Sequence, residues 1–485
     1  MLIIISDNWS VSFFPYSKPG EDPVFAVAGS RYITVARPAG KSNPDAVEVI
    51  RVFKDEDDDE DFYYCTWTKN LATGAPLVCA AGKGAKIKIF DVKEGRIVQE
   101  LTGHGGDINW LAICPTNPQI IASTSDDYTI RVWSLDPSHK PQPCAAILAG
   151  GGHKDKILTL AWHETGRYIL SAGIERIINL WTLPELPDEN TGTDHPTRIH
   201  YPHFSTSEVH DDIVDCVSFY HDLIISKAAK DPIVLWAING FSSNSPPPPP
   251  ASEPTTHDTQ RSTRSAFTPS SSSYIPATAN AFSPTMPPHT HFTRLIQFHN
   301  PESDLFYTRF GLFQPPTPEG HTILAMCSNS SKMMFWDLAR LEEYFEYSNL
   351  PSQLQQTSRP EFLMPVRSRN RQGKQTSAIK PHLSVPTHII RESSTQTEST
   401  NSTNMEAQDT ADTGRLNEVD TMKTKDLWDS KYSMADPSRE LLPHREEVAK
   451  GLEFVGRQVA WSRGGEWCVV AGSASFVAVF SRWKS

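Results

Sequence analysis

No two of the seven cysteines in this 485-residue chain (Cys65, Cys79, Cys114, Cys144, Cys216, Cys327 and Cys468) are spaced as CxxC. Their odd number and wide scatter indicate neither a disulfide framework nor a zinc site, and predict a reducing compartment. Enzyme motifs are missing as well: there is no HExxH and no GxSxG elbow, and Gly82-Lys83-Gly84 lacks the hydroxyl and glycine spacing of a phosphate loop. Neither catalysis nor a cofactor is expected. His195, His200 and His203 lie close together without acidic or cysteine partners at ligand spacing, so no metal is expected. No stretch approaches the roughly eighteen apolar residues of a membrane span, and Met1 to Ser6 lacks the basic lead of a signal peptide. The balance of 45 basic against 57 acidic residues, a net charge of -12, disfavours sequence-specific binding to duplex DNA and suits basic partners such as a histone tail.

What is present is a repeat. Gly103-His104 is followed by a strand ending at Trp133, Gly152-His153 by one ending at Trp181, and Val209-His210 by one ending at Trp236. Separations of 29, 28 and 26 residues, with β-branched alternation and an Asp127 turn between, are WD40-type units. The loop His, a strand Ser or Thr, the turn Asp and the strand-end Trp can satisfy one another as a buried polar chain. They are structural residues. Glu175 replaces the Asp in the second unit and Lys230-Asp231 stands there in the third, which predicts an incomplete chain in those blades. Weaker third-strand copies at Tyr32–Val35, Ile87–Asp91, Met333–Asp337 (with Trp336) and Phe476–Phe480 bring the count to seven. The expected fold is all-β, a seven-bladed WD40 β-propeller. A closing strand needs residues before the first blade, and only Met1 to Ser6 are there. Either Leu2 to Ile5 form a short clasp or the N-terminus is truncated, and truncation is the expectation.

Two long segments break the repeat, and 38 prolines with a hydrophobic content of 38% already signal unpacked chain. Blades one to five are expected over 1–240, a disordered Pro/Ser/Thr-rich insertion over 241–290, blade six over 291–346, a disordered polar insertion over 347–447 and blade seven over 448–485. The run Pro246–Pro250 can dock an SH3 or WW domain or act as a plain spacer. Arg367, Arg369, Arg371, Lys374 and Lys380 form a basic cluster readable as an import signal, a nucleosome contact or a solvated linker.

Trp9, Tyr63 and Phe306 each stand four residues before another aromatic (Phe13, Trp67, Phe310) near a strand start. Residues four apart in a strand share a face, so these read as matched pairs in the innermost strands of blades one, two and six. At the same offset the other blades carry Asn109, Leu158, Asp215 and Arg457. Blades six, seven, one and two adjoin once the ring closes, placing the three aromatics, Tyr307 and Arg457 round one mouth of the channel. Such faces either pack between blades or hold a cation such as trimethyl-lysine. Asp55 to Asp61, seven consecutive acids, read as a ligand-attracting loop on that face or a solvated one.

Arg198 to Thr206, His210, Val214 to Val217, Asp222 to Lys227 and Ile233 to Trp236 together resemble the fifth-repeat region of the EED/extra sex combs family; Phe62 to Trp67, Gly103 to Gly105, Ile108-Asn109 and Gly456 to Gln458 resemble it too. The resemblance spans the blades from Trp9 to Trp483 and neither insertion. It implies a non-catalytic nuclear WD-repeat subunit of Polycomb repressive complex 2. One face would read trimethylated histone H3 tails, the other would hold an Enhancer-of-zeste-type SET methyltransferase, and other subunits of the complex would be partners. Carried over by motif, the cage falls on Trp9 (usually Phe in the family), Tyr63 and Phe306-Tyr307 (usually Trp-Tyr), with Arg457 at its rim. A generic WD40 adaptor, for instance a ubiquitin-ligase substrate receptor, is the competing reading.

Overall fold

A computed structural model describes residues 7–18, 20–39, 45–230, 232–267, 291–317, 320–355, 357–364, 368–369, 375–376, 425–448 and 453–481. Seven mainly antiparallel sheets succeed one another round a ring, the seven-bladed propeller that the repeat predicts. The innermost strands are Ser10–Phe13, Phe62–Lys69, Ile108–Cys114, Ile157–Trp162, Val214–Tyr220, Gly311–Phe313 and Gly456–Trp461. Alternating apolar residues make each blade an apolar slab that packs on its neighbours. The ring joins where Val11 and Phe13 of blade one share a buried cluster with Val469 and Ala471 of blade seven, and Asn8 N–H donates to Gly472 O at 3.1 Å. Leu2 to Ile5, the alternative reading as a clasp, lie outside the described residues.

The polar chain of the repeat is fully formed in blade three. His104 Nδ1 lies 2.8 Å from Asp127, His104 Nε2 lies 2.7 Å from Ser123 Oγ, and Trp133 Nε1 donates to Ser123 Oγ at 2.8 Å. Burial pushes the His104 pKa below its ordinary value, so a neutral ring donates from Nδ1 and accepts at Nε2. Blade four departs from expectation, because Glu175 completes its chain: His153 meets Glu175 at 2.7 Å and Ser171 at 2.6 Å, and Trp181 donates to Ser171 at 2.9 Å. One extra methylene still reaches the imidazole. In blade five His210 and Trp236 share Ser226 at 2.8 and 2.9 Å. Trp336 of blade six instead donates to the backbone carbonyl of Leu441 at 3.0 Å. Ser123→Ala, which strands two buried partners, is expected to destabilise the chain by about 2–3 kcal/mol. Urea unfolding followed by tryptophan fluorescence checks it.

Both insertions sit inside blades rather than between them. The fourth strand of blade five is Phe292–Phe298, paired with Ile233–Ile238, so the first insertion joins strands three and four of one blade. Likewise Arg445–Val448 pairs with Lys332–Asp337, which places the second insertion within blade six. The repeat ends at its Trp-bearing third strand, and the strand after the insertion, weak in sequence, belongs to the same sheet. Parts of both segments are folded. Thr263–Ser265 extends blade four beyond Phe204–Thr206, and Glu440–Leu441 pairs with Phe292–Phe298 on blade five. A helix at Leu338–Asn349 buries Leu338, Leu341 and Tyr344. Asp337 caps it, accepting from Arg340 N–H at 3.2 Å. Of the basic cluster, Arg367, Arg371, Lys374 and Lys380 lie outside the described residues, and Arg369 sits in a two-residue strand, Ser368–Arg369, beside Gln375–Thr376.

Candidate functional site

One residue at the start of the innermost strand is out of register with its neighbour in five blades. The extra residues are Tyr63, Asn109, Leu158, Asp215 and Arg457, each lying between two paired positions. A bulge of this kind releases a side chain from strict alternation and re-aims it. It therefore corrects the expectation that Tyr63 and Trp67 share a face. Trp67 is buried between blades one and two, its Nε1 donating to Ser12 O at 2.8 Å, whereas Tyr63 turns toward the channel mouth.

There Tyr63 meets Trp9, the residue just before the first strand, at 6.3 Å between ring centroids and 85° between planes. Trp9 meets Tyr307 at 6.0 Å and 60°. Trp9 thus makes edge-to-face contacts with two tyrosines. Tyr307 has a left-handed backbone (φ 59°), unusual for an aromatic residue, and stands in the loop before Gly311–Phe313 rather than in a strand. Phe306 is in that same loop, which corrects its assignment to an innermost strand. It is 47% exposed and touches the group through Tyr307, at 5.1 Å. Arg457 lies over the Trp9 ring at 4.7 Å, held by Asp7 at 3.0 Å and by Phe306 O at 3.4 Å. The structure therefore brings Trp9, Tyr63, Tyr307 and Arg457 together, with Phe306 at their margin.

Every polar handle of the three rings is tied. Tyr63 OH donates to Asp107 at 3.2 Å, Tyr307 OH to Asn109 Oδ1 at 2.6 Å, and Trp9 Nε1 to Asp61 Oδ2 at 3.3 Å. Asn109 in turn donates to Asp126 at 2.8 Å. Burial raises both phenol pKa values, so the hydroxyls are neutral donors, and burial also raises that of Asp61 against the opposing Trp9 hydrogen bond. Beneath them Arg309, 1% exposed, stacks at 4.8 Å on both Tyr307 and Trp110 and donates to Trp9 O at 3.2 Å. Two guanidinium cations already lie on these rings, Arg457 on Trp9 and Arg309 on Tyr307, and Asp61 and Asp107 stand beside them, surroundings in which a weakly hydrated cation is held.

Asp107 and Arg309 were not anticipated as parts of this site, and Asp61 was anticipated only as part of the acidic loop, not as the partner of Trp9. Only Asp61 left a signal: an indole in a pocket wall needs an acceptor for its N–H. The acidic loop is also less solvated than its composition suggests, because Asp55 and Glu60 are buried on Lys88 at 2.7 and 2.9 Å. Glu56 to Asp59 alone remain exposed. His203 bonds the carbonyl of Pro249 rather than joining His195 and His200. Among the described residues no group of three or more His, Cys, Asp or Glu side chains is placed to hold a metal.

Comparison with known proteins gives a consistent picture. The family described as WD domain, G-beta repeat matches residues 95–134 and 144–182. Polycomb protein EED of Chaetomium thermophilum is 37% identical over 539 residues, covering 99% of this chain and 91% of that protein. A crystal structure of the Chaetomium thermophilum polycomb repressive complex 2 contains a chain 36% identical with a TM-score of 0.77, covering 99% of this chain and 94% of that one. A structure of ctPRC2 in complex with H3K27me3 and H3K27M is likewise similar, at 36% identity, TM-score 0.76, and 99% and 94% coverage.

Proposed function

The chain belongs to the EED/extra sex combs family of Polycomb WD-repeat proteins, and from that premise we propose that it is the scaffold and histone-reader subunit of a Polycomb-type histone H3 lysine methyltransferase complex in the nucleus. It is a non-catalytic protein. In this reading Trp9, Tyr63 and Tyr307 enclose the trimethylammonium of a methylated H3 tail, Phe306 adds an outer wall, and Arg457 lines the rim. The opposite face holds an Enhancer-of-zeste-type SET subunit. The observation that carries the reading is the edge-to-face contact of Trp9 with Tyr63 and Tyr307, three rings from three blades converging on one mouth. The relative seen with H3K27me3 supports that mark as the ligand.

Trimethylation suits such a site because it keeps the charge while weakening hydration. Reading the product of a partner enzyme couples two sites, and the coupling is reciprocal: a methylated peptide that stimulates by binding must bind more tightly to the active assembly. Co-expression with an Enhancer-of-zeste-type subunit tests the scaffold role, and co-elution is expected. Separate elution would leave a free-standing reader and remove the scaffold.

Trp at position 9 brings an N–H, and Asp61 accepts it. Asp61→Ala is accordingly expected to weaken peptide binding about fivefold, roughly 1 kcal/mol, by freeing the indole. In a Trp9→Phe background the same substitution has no N–H to strand and is expected to cost clearly less, about twofold, since only the carboxylate's charge is lost. Calorimetric titration of the four proteins gives the coupling, and an equal Asp61→Ala cost in both backgrounds would show that Asp61 does not act through Trp9.

A further inference from the structure

Pro246 to Pro250 remain outside the functional reading. Each residue from Ser245 to Pro249 precedes a proline, which disfavours the helical region, and each proline ring fixes φ near −65°. The run is thereby set as a polyproline II helix.

The propeller anchors this helix at both ends. Phe241, fully buried, packs against Tyr168, Phe267 and His163 at 5.0, 5.3 and 6.1 Å. Ser243 N–H donates to the two carboxylate oxygens of Asp222 at 3.3 and 3.2 Å, and Asp222 is itself 3.3 Å from buried His163. At the far end buried His203 holds Pro249 O through Nε2 at 2.7 Å. Further on, Thr263–Ser265 returns the chain to blade four. Pro246, Pro247, Pro249 and Pro250 are exposed.

The location follows from strand direction. Val214–Tyr220 carries the bulged Asp215 at its second position, on the cage side, and Ile233–Ile238 runs parallel to it because one antiparallel strand, Leu223–Ala228, lies between them. The chain therefore leaves Ile238 on the face away from the cage.

We propose that Pro246–Pro250 is a docking site for a protein module that reads polyproline through an aromatic-lined groove of the WW type. Proline rings stack on aromatic side chains, and a helix already fixed loses little entropy on binding. An SH3 groove adds an acidic pocket for a flanking arginine or lysine, and no such residue stands between 241 and 260. This site is independent of methyl-lysine reading.

The test is an NMR titration of an isotope-labelled WW domain that accepts uninterrupted prolines. The titrants are the full-length chain and a free peptide of residues 241–256, with an SH3 domain as the second probe. Saturable WW binding is expected, tighter for the chain than for the peptide by roughly threefold, the gain from flanks held at Ser243 and Pro249. Combining Pro246→Ala, Pro247→Ala, Pro248→Ala, Pro249→Ala and Pro250→Ala is expected to weaken it by more than about tenfold with no change in melting temperature or in methyl-lysine peptide affinity. Absence of WW binding to the chain, binding that survives the five substitutions, or stronger binding to the SH3 domain would each overturn the proposal.

Discussion

Tyr307→Ala is expected to weaken binding of a trimethyl-lysine histone H3 peptide by at least about 30-fold, roughly 2 kcal/mol. The ring contributes more than one wall. Its removal deprives Trp9 of one of its two edge contacts and Arg309 of one of its stacking partners, and leaves Asn109 Oδ1 without its phenol donor. Tyr63→Ala removes a wall and the bond to Asp107, and about a tenfold loss is expected. Phe306→Ala should cost about threefold, since this ring is exposed and reaches the group only through Tyr307. Calorimetric titration, with thermal melts confirming folded variants, decides the ranking. A larger loss for Phe306→Ala than for Tyr307→Ala would move the pocket outward, away from Trp9.

The largest stability effect is expected at Asp215→Ala. Asp215 and Lys227 have no exposed side-chain surface, and Lys227 Nζ lies 3.0 and 3.1 Å from the two carboxylate oxygens. Removing the acid leaves a buried ammonium, at a cost of about 3–5 kcal/mol. Replacing both, as Asp215→Leu with Lys227→Met, is expected to recover most of that loss, because desolvation no longer opposes folding. Asp215 also accepts from Thr308 N–H at 3.3 Å, next to Tyr307, so the single variant should loosen the cage as well. Urea unfolding tests this, and a loss below about 1 kcal/mol would show the pair to be dispensable.

Three blades were legible because a buried His, Ser and Trp recur at nearly constant spacing, and the other four through the pattern of their third strands. Positions such as Asn109, Asp215 and Arg457 were found by offset alone. The reason the offset works, a bulge that re-aims one residue in each of five blades, has no sequence signature in these strands. Alternation consequently misassigned Tyr63 and Trp67 to one face, and it placed Phe306 in a strand where a left-handed Tyr307 makes a loop. Blade assignment at the insertions failed for a different reason: Phe292–Phe298 and Arg445–Val448 are fourth strands whose pairing partners lie across a long gap, and local pattern does not carry that distance. The folded flank around Leu338–Asn349 escaped notice because its apolar residues are sparse within polar chain. Glu175 illustrates the opposite error, a departure from the repeat that leaves the network whole.

The central claim is that Trp9, Tyr63 and Tyr307 recognise a methylated cation by its charge. The most direct measurement compares three histone H3 peptides on the wild-type chain, bearing trimethyl-lysine, unmodified lysine, or the neutral tert-butyl isostere of trimethyl-lysine in which carbon replaces nitrogen. The isostere keeps shape and apolar surface and loses only the charge. Cation–π recognition predicts that the trimethyl peptide binds tightest, with the isostere weaker by about tenfold or more. Equal affinity for the isostere and the trimethyl peptide, or for all three, would contradict the cage.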